Sequence, residues 1–313
     1  MDERIKIFSG NGNPQLATAI CNYLGIHLGK VDIRRFANEN IFVQIEENVR
    51  ERDVFVVQPL SSPVSENLVE LLIMLDSLRH ASASRITAVI PYFSYARSDK
   101  KDMPRISIAA RLVADLLQTS GANRVLTMTL HADQVMGFFR VPIDHLNPIP
   151  IFCSYFESLG LENAVVLATD AGSARRAGPY ATRLNLPLAF IDKRRVSDDE
   201  VELRAVVGDV TGKKVIIFDD EICRATSLIE AIKAVRLLNV QAVSAAATHG
   251  VFASDAIERL SEIEQLKEVA VTDTVPMPVG KCLDKIRVLS VAPLFGEAIK
   301  RIHTGESISG LFG

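Results

Sequence analysis

The apolar positions fall into two alternating rhythms. Short runs rich in Val, Ile and Phe read as strands: "RIKIFSG", "DVFVVQPL", "RITAVIPYF", "RVLTMTL", "AVVLATD", "LAFIDKRR", "KKVIIFDD", "AVSAAATHG", "EVAVTDT" and "IRVLSVA". Between them, "SENLVELLIMLDSLRHA", "SIAARLVADLLQTSGA", "SLIEAIKAVRLLNV" and "APLFGEAIKRIHTGES" carry apolar residues at helical spacing, and the second closes on Gly121. Strands alternating with helices predict an α/β protein with mainly parallel sheets flanked by helices.

The stretch "FRVPIDHLNPIPIF", Phe139 to Phe152, carries three prolines and interrupts the rhythm. It divides the chain into expected domains 1–146 and 147–313, with the option that the last helix packs back on the first. Each side runs through a similar programme of strand, helix, strand, functional loop and helix, so the halves read as two copies of one α/β unit.

Composition then narrows the classes. With 35 Lys and Arg against 38 Asp and Glu, the net charge of −3 argues against a general nucleic-acid binder. Cys21, Cys153, Cys223 and Cys282 form no C-x-x-C pair, which favours a reducing compartment over disulfides or zinc. The charged start "MDERIKIFSG" runs straight into a strand, and no apolar run reaches the roughly 18–20 residues of a membrane span. A cytoplasmic protein with no membrane partner is expected.

Polar motifs collect at the carboxyl ends of strands, where α/β sheets hold their ligands. "YFSYARSDKKDMPRIS" places Arg97, Lys100, Lys101 and Arg105 after a strand. A solvated loop looks the same, but the placement suits a lid that neutralises a polyphosphate. His131 follows a strand in "TLHADQ", and Asp170 opens "TDAGSARRAG" with a glycine turn and two arginines behind it. If these two residues converge, they suit a shared magnesium ion. In "FIDKRR", Lys193 and Arg195 alternate along a strand and would aim at one place, as a phosphate clamp requires. In "VIIFDDEICRATSLIEAI" a buried strand ends on Asp219 and Asp220 and turns into a helix through Cys223 to Ser227, without a glycine.

Several long segments together resemble the ribose-phosphate diphosphokinases, or phosphoribosyl pyrophosphate synthetases. They include "FSGNGNPQLA", "VQIEENVRERDVFVVQP", "ELLIMLDSLRHASASRITAVIPYFSYAR", "DKKDMPRISIAARLVADLL", "HADQVMGFFRVPID", "IDKRR" and "EAIKRIHTGESISGLF", and they cover essentially the whole chain. The resemblance implies two tandem type I phosphoribosyltransferase-like domains, assembled as a homo-oligomer of dimers building to a hexamer. It implies transfer of diphosphate from Mg·ATP to the C1 hydroxyl of ribose 5-phosphate, with release of AMP. By position, Phe36 would stack on adenine, with Asn38, Glu39 and Asn40 around the base. Arg97 and Ser98 would continue the ATP site, and Lys100, Lys101 and Arg105 would belong to the lid. His131 and Asp170 would hold Mg²⁺, and Lys193 and Arg195 would be catalytic. Asp219 and Asp220 would hold the ribose hydroxyls. Cys223, Arg224, Ala225, Thr226 and Ser227 would take the 5-phosphate, and Ala171, Gly172 and Ser173 the diphosphate.

The chain departs from that family pattern in places. The family usually has Asp-Thr-Gly-Gly-Thr where Cys223 to Ser227 stand, Asp-Ala-Gly-Gly where Asp170 to Ser173 stand, acids at Thr129 and Arg140, and Asp and Glu at Asn38 and Asn40. An amide still offers a carbonyl to the adenine amino group. Alanine can stand in for glycine in the 5-phosphate loop if its φ stays negative. Three readings therefore stand: an active diphosphokinase, a non-catalytic homologue that binds nucleotide and regulates a true synthetase, or a phosphoribosyltransferase. The duplicated halves and the lid speak against the third.

Overall fold

In the computed structural model, residue contacts divide the chain into two units. Unit 1 takes the residues up to Asn147, Thr274–Pro276 and the stretch from Ser290; unit 2 takes Pro148–Asp273 and Met277–Leu289. Residues 4–195, 201–278 and 283–311 are described, with backbone alone at 193–195 and 201–204.

Unit 1 runs β1 (Ile5–Ser9), α1 (Pro14–Leu24), β2 (Val31–Arg35), β3 (Ile41–Ile45), β4 (Asp53–Val57), α2 (Val64–His80), β5 (Arg85–Ile90), α3 (Ala109–Thr119), β6 (Arg124–Met128) and β7 (Ile143–Leu146). Its sheet has the order β1-β4-β5-β6-β7, all parallel. Val54, Val56, Ile86, Ala88, Ile90 and Val125 pack with α2 and α3. Their alternates Ile7, Phe55, Val57, Val89 and Leu126 are equally buried, so both faces of the sheet are covered.

Unit 2 runs α4 (Ile149–Leu159), β8 (Ala164–Ala168), α5 (Ala174–Arg183), β9 (Leu188–Arg195), β10 (Val201–Val207), β11 (Lys214–Ile222), α6 (Thr226–Arg236), β12 (Ala242–Gly250), α7 (Ala256–Ser261), β13 (Leu266–Thr272) and β14 (Ile286–Leu289). The sheet order is β10-β9-β8-β11-β12-β13-β14, with β10 alone antiparallel. One face packs on α6 and α7, the other on α4 and α5.

The final helix α8 (Ala292–Thr304), numbered with the second half in sequence, belongs to unit 1 and packs on α1. Gly296 permits this approach, because a Cβ there would lie 2.4 Å from the Tyr23 ring. The helix is tied down by polar contacts as well: Arg85 donates to the Ile302 carbonyl at 2.8 Å, and Asp53 meets both Arg85 and His303.

All ten sequence-read strands appear, and the described residues form four more. The hairpin β2–β3 forms a sheet of its own beside α2, β7 sits inside the proline-rich stretch, and β10 pairs with β9. Strand β11 continues to Ile222, past the two aspartates on which the sequence alone ends it.

Candidate active site

The richest cluster lies at the end of β11. Asp220 is buried, and the Asp219 side chain is one-fifth exposed. One guanidinium nitrogen of Arg176, on α5, lies 3.5 Å from a carboxylate oxygen of each. Burial, helped by a hydrogen bond with Asp220 and its charge, pushes the Asp219 carboxyl up to about 7, against the pull of Arg176. Near neutral pH Asp219 therefore exchanges between its acid and carboxylate forms, so the pair can both accept from and donate to hydroxyls. Sequence reading noted two arginines after Asp170 but did not single out Arg176. Its place in the first turn of a helix beside β11 was the available signal.

Beyond β11 the chain turns through Cys223 to Ala225 into α6. Ala225 is the N-cap of α6, and no side-chain hydrogen bond caps the helix. Its first N–H groups are thus offered to an anion, with the exposed Arg224, Thr226 and Ser227 around them. Ala225 sits at φ 57°, ψ 10°, in the left-handed region. The condition set on sequence, a negative φ, is not met: a methyl group here costs on the order of 1 kcal/mol relative to glycine.

At the end of β8, Asp170, Ala171 and Gly172 are exposed, while Ser173 is buried. This turn closes on itself. The Asp170 carboxylate accepts the Ser173 N–H at 2.6 Å, and the Ser173 hydroxyl accepts the Asp170 N–H at 3.0 Å. A Cβ on Gly172 would meet only the Asp170 carboxylate, at 3.2 Å. The backbones of Lys193 and Arg195 lie on β9, opposite Leu203 and Val201 of β10; their side chains lie outside the described residues.

In unit 1 the tip of the β2–β3 hairpin presents Phe36, 51% exposed, with its edge against Phe42. The tip is a tight turn: Phe36 and Asn40 pair through backbone, Asn38 accepts from the Asn40 N–H, and Glu39 takes a φ of 67°. A groove of about 500 Å³ beside the tip is lined by Glu39, Asn40, Glu66, Val69 and Ile73 among others. Arg97 ends a short 3-10 turn, Ser94–Arg97, and Ser98 follows it. Lys100, Lys101 and Arg105 stand exposed on a segment without helix or strand.

His131 is exposed just past β6. The turn before it is held from β7: the Thr129 N–H donates to the Leu146 carbonyl, and the Leu130 N–H donates to His145 Nε2 at 2.8 Å. Burial lowers the His145 pKa, which keeps the ring neutral and able to accept. Thr129 takes φ 42° in that turn. His131 belongs to unit 1 and Asp170 to unit 2. Among the described residues, no three His, Cys, Asp or Glu side chains form a ready-made metal cage.

The motif "FSGNGN" is tied into a network around two buried side chains, Gln58 and Glu70. Glu70 of α2 accepts the Asn11 N–H at 2.6 Å, the Asn11 amide at 2.8 Å and the Gln58 amide at 2.8 Å. Gln58 in turn accepts the Gly12 N–H at 2.8 Å. A Cβ on Gly10 would lie 2.5 Å from Gln58, so the glycine is required by close approach.

The comparisons fit this arrangement. Residues 5–121 match the N-terminal domain of ribose phosphate pyrophosphokinase, and residues 201–313 match the phosphoribosyl synthetase-associated domain. A ribose-phosphate pyrophosphokinase of Deinococcus radiodurans is 53% identical, over 98% of this chain and 97% of its own. The chain belongs to the ribose-phosphate pyrophosphokinase family. A relative of the same name from Caldanaerobacter subterraneus is 49% identical, over 98% of both chains. The crystal structure of phosphoribosylpyrophosphate synthetase from Mycobacterium smegmatis superposes with a TM-score of 0.92 at 39% identity, over 97% of this chain and all of its own. Both units here have the mainly parallel, helix-flanked sheet of type I phosphoribosyltransferase-like domains.

Proposed function

We propose that the protein is an active ribose-phosphate pyrophosphokinase that moves the terminal diphosphate of ATP to the C1 hydroxyl of ribose 5-phosphate. The C1 oxygen bonds to the β-phosphorus, the bond from that phosphorus to the α,β-bridging oxygen breaks, and AMP leaves. The observation that carries this reading is the end of β11: a carboxyl pair beside an uncapped helix N-terminus dressed with Arg224, Thr226 and Ser227. That combination suits a sugar at one end and its phosphate at the other.

In this reading Asp219 and Asp220 grip the ribose hydroxyls, and Arg176 balances their charge. The loop from Cys223 to Ser227 seats the 5-phosphate. Asp170 to Ser173 serve the diphosphate, which would take over the Ser173 N–H now bound by Asp170. Lys193 and Arg195 stabilise charge on the transferring group, so no covalent intermediate is required. The exposed face of Phe36 stacks on adenine, with Asn38, Glu39 and Asn40 at its edge; Arg97, Ser98, Lys100, Lys101 and Arg105 neutralise phosphate.

Mg²⁺ fits as the cofactor. Asp170 keeps one carboxylate oxygen outside its own turn, and His131 is exposed. An ion held mainly by water and phosphate oxygens needs no larger protein cage. When bound, Mg²⁺ would neutralise charge on the transferring diphosphate. Assembly as dimers building to a hexamer, and a cytoplasmic location, complete the reading. No described helix is long and apolar enough to cross a membrane.

The test is AMP release from ATP and Mg²⁺, with and without ribose 5-phosphate. Sugar-dependent AMP is expected. ATP binding without sugar-dependent AMP would instead mark a nucleotide-binding regulator.

A further inference from the structure

The glycine-free loop is braced from below by the chain that follows β12. Phe252 donates its N–H to the Ile222 carbonyl at 3.0 Å, and Ala253 to the Cys223 carbonyl at 2.9 Å. From α7, Arg259 Nη1 donates to the Arg224 carbonyl at 2.8 Å and reaches the Thr226 hydroxyl at 3.5 Å. These two residues flank Ala225, whose φ of 57° is the strained point of the loop. Phe252 and Ser254, in the bracing segment itself, also take positive φ, at 44° and 58°. Strained backbone persists only where its surroundings over-determine it.

We propose that Arg259 is a positioning residue for ribose 5-phosphate binding: it fixes the residues on both sides of Ala225 and so holds in shape a phosphate loop that lacks glycine. The inference rests on the reading of Cys223 to Ser227 as the 5-phosphate loop. A guanidinium suits this task because its planar geometry fixes the directions of the two Nη1 hydrogens toward the two acceptors. A lysine ammonium has donors enough on its one nitrogen but rotates freely and holds them in no fixed plane. In a loop with glycine in place of Ala225, the left-handed conformation would be intrinsically accessible and the brace much less needed.

The experiment is a four-way comparison of wild type, R259M, A225G and R259M/A225G, with R259K in both backgrounds, reading KM for ribose 5-phosphate, KM for ATP and kcat. R259M is expected to raise KM for ribose 5-phosphate by about 10- to 100-fold, the scale of a lost hydrogen bond from a charged group, while KM for ATP moves less than about 2-fold. In the A225G background the same substitution should raise it less than about 3-fold. R259K should fall between R259M and wild type, and its smaller effect should also vanish with A225G; this keeps the decision available if R259M does not fold. A change below about 2-fold in wild type, or an equal loss that A225G does not relieve, overturns the positioning role and leaves the loop assignment standing. If ribose 5-phosphate neither drives AMP release nor raises the melting temperature of wild type and A225G, the loop assignment itself falls, and the inference with it.

Discussion

Both units place the same strands in the same order: β1, β4, β5, β6 and β7 in one, and β8, β11, β12, β13 and β14 in the other. The loops at corresponding strand ends nevertheless have opposite characters. After β4 stands Gln58, fully buried, its amide spent on Gly12, Asn67 and Glu70. After the matching part of β11 stand Asp219 and Asp220, held by one guanidinium at 3.5 Å and reachable by solvent at Asp219. The turn after β1 is filled by the Glu70 side chain; the turn after β8 is closed by its own residues, Asp170 and Ser173, with Thr169 beside them. A polar residue at a strand end is thus not yet a site. What separates the two is whether the residue is sealed in the interior, as Gln58 is, or open to solvent where a ligand can reach it, as Asp219 is.

The hairpins follow the same contrast. In unit 2, β9 and β10 extend the sheet beside β8; in unit 1, β2 and β3 leave the edge and pack on α2, which frees the tip carrying Phe36.

Substitution at the open loop should have the largest effect. Replacing Asp219 and Asp220 together with Ala should lower sugar-dependent AMP formation by 100-fold or more on the order of two lost charge-assisted hydrogen bonds, with ATP affinity unchanged. Glu70→Ala should do the opposite. It strands the buried amide of Gln58 and loosens the Asn11 turn, costing about 1–3 kcal/mol in denaturant unfolding, while kcat per folded molecule holds. If Glu70→Ala abolished activity in fully folded protein, the contrast would break.

A glycine pair sharpens it. Gly10→Ala drives a methyl to 2.5 Å from Gln58 and should lower stability by about 1–3 kcal/mol. Gly172→Ala meets only Asp170 at 3.2 Å, so its melting temperature should hardly move while turnover falls. Equal effects on stability would show that the two turns are alike after all.

The smallest effect is the pH dependence that Asp219 gives to unit 2. Asp219 is raised from 3.8 to about 7 in the folded state, so the native protein binds more protons than the unfolded chain between those values. Its ionisation therefore costs stability as pH rises through that window. Asp219→Asn should melt a few degrees above wild type near pH 8 and lose the advantage near pH 4, in scans without ligand.

The strands of both sheets were legible because burial on two faces writes them as nearly unbroken apolar runs, such as "VIIF" and "AVVLA". The hairpin β2–β3 was not, since "VDIRR" and "IFVQI" are half-buried and joined by a turn with no Asn-Gly signal. At the site, the acids and cations were readable as residue types at strand ends. The φ of Ala225 was not, because it is set by the bracing segment some 30 residues later. Nor could sequence tell that Glu70, one charge among several on α2, is buried against a glycine turn.

The placement of α8 sets an order of manufacture. Every segment of unit 2 has been made once the chain reaches Leu289, but unit 1 still lacks α8, Ala292–Thr304. The half begun first is therefore finished last. Released chains truncated after Leu289 should resist protease across unit 2 and remain cleavable in unit 1, with the face of α1 that α8 covers still waiting for its partner.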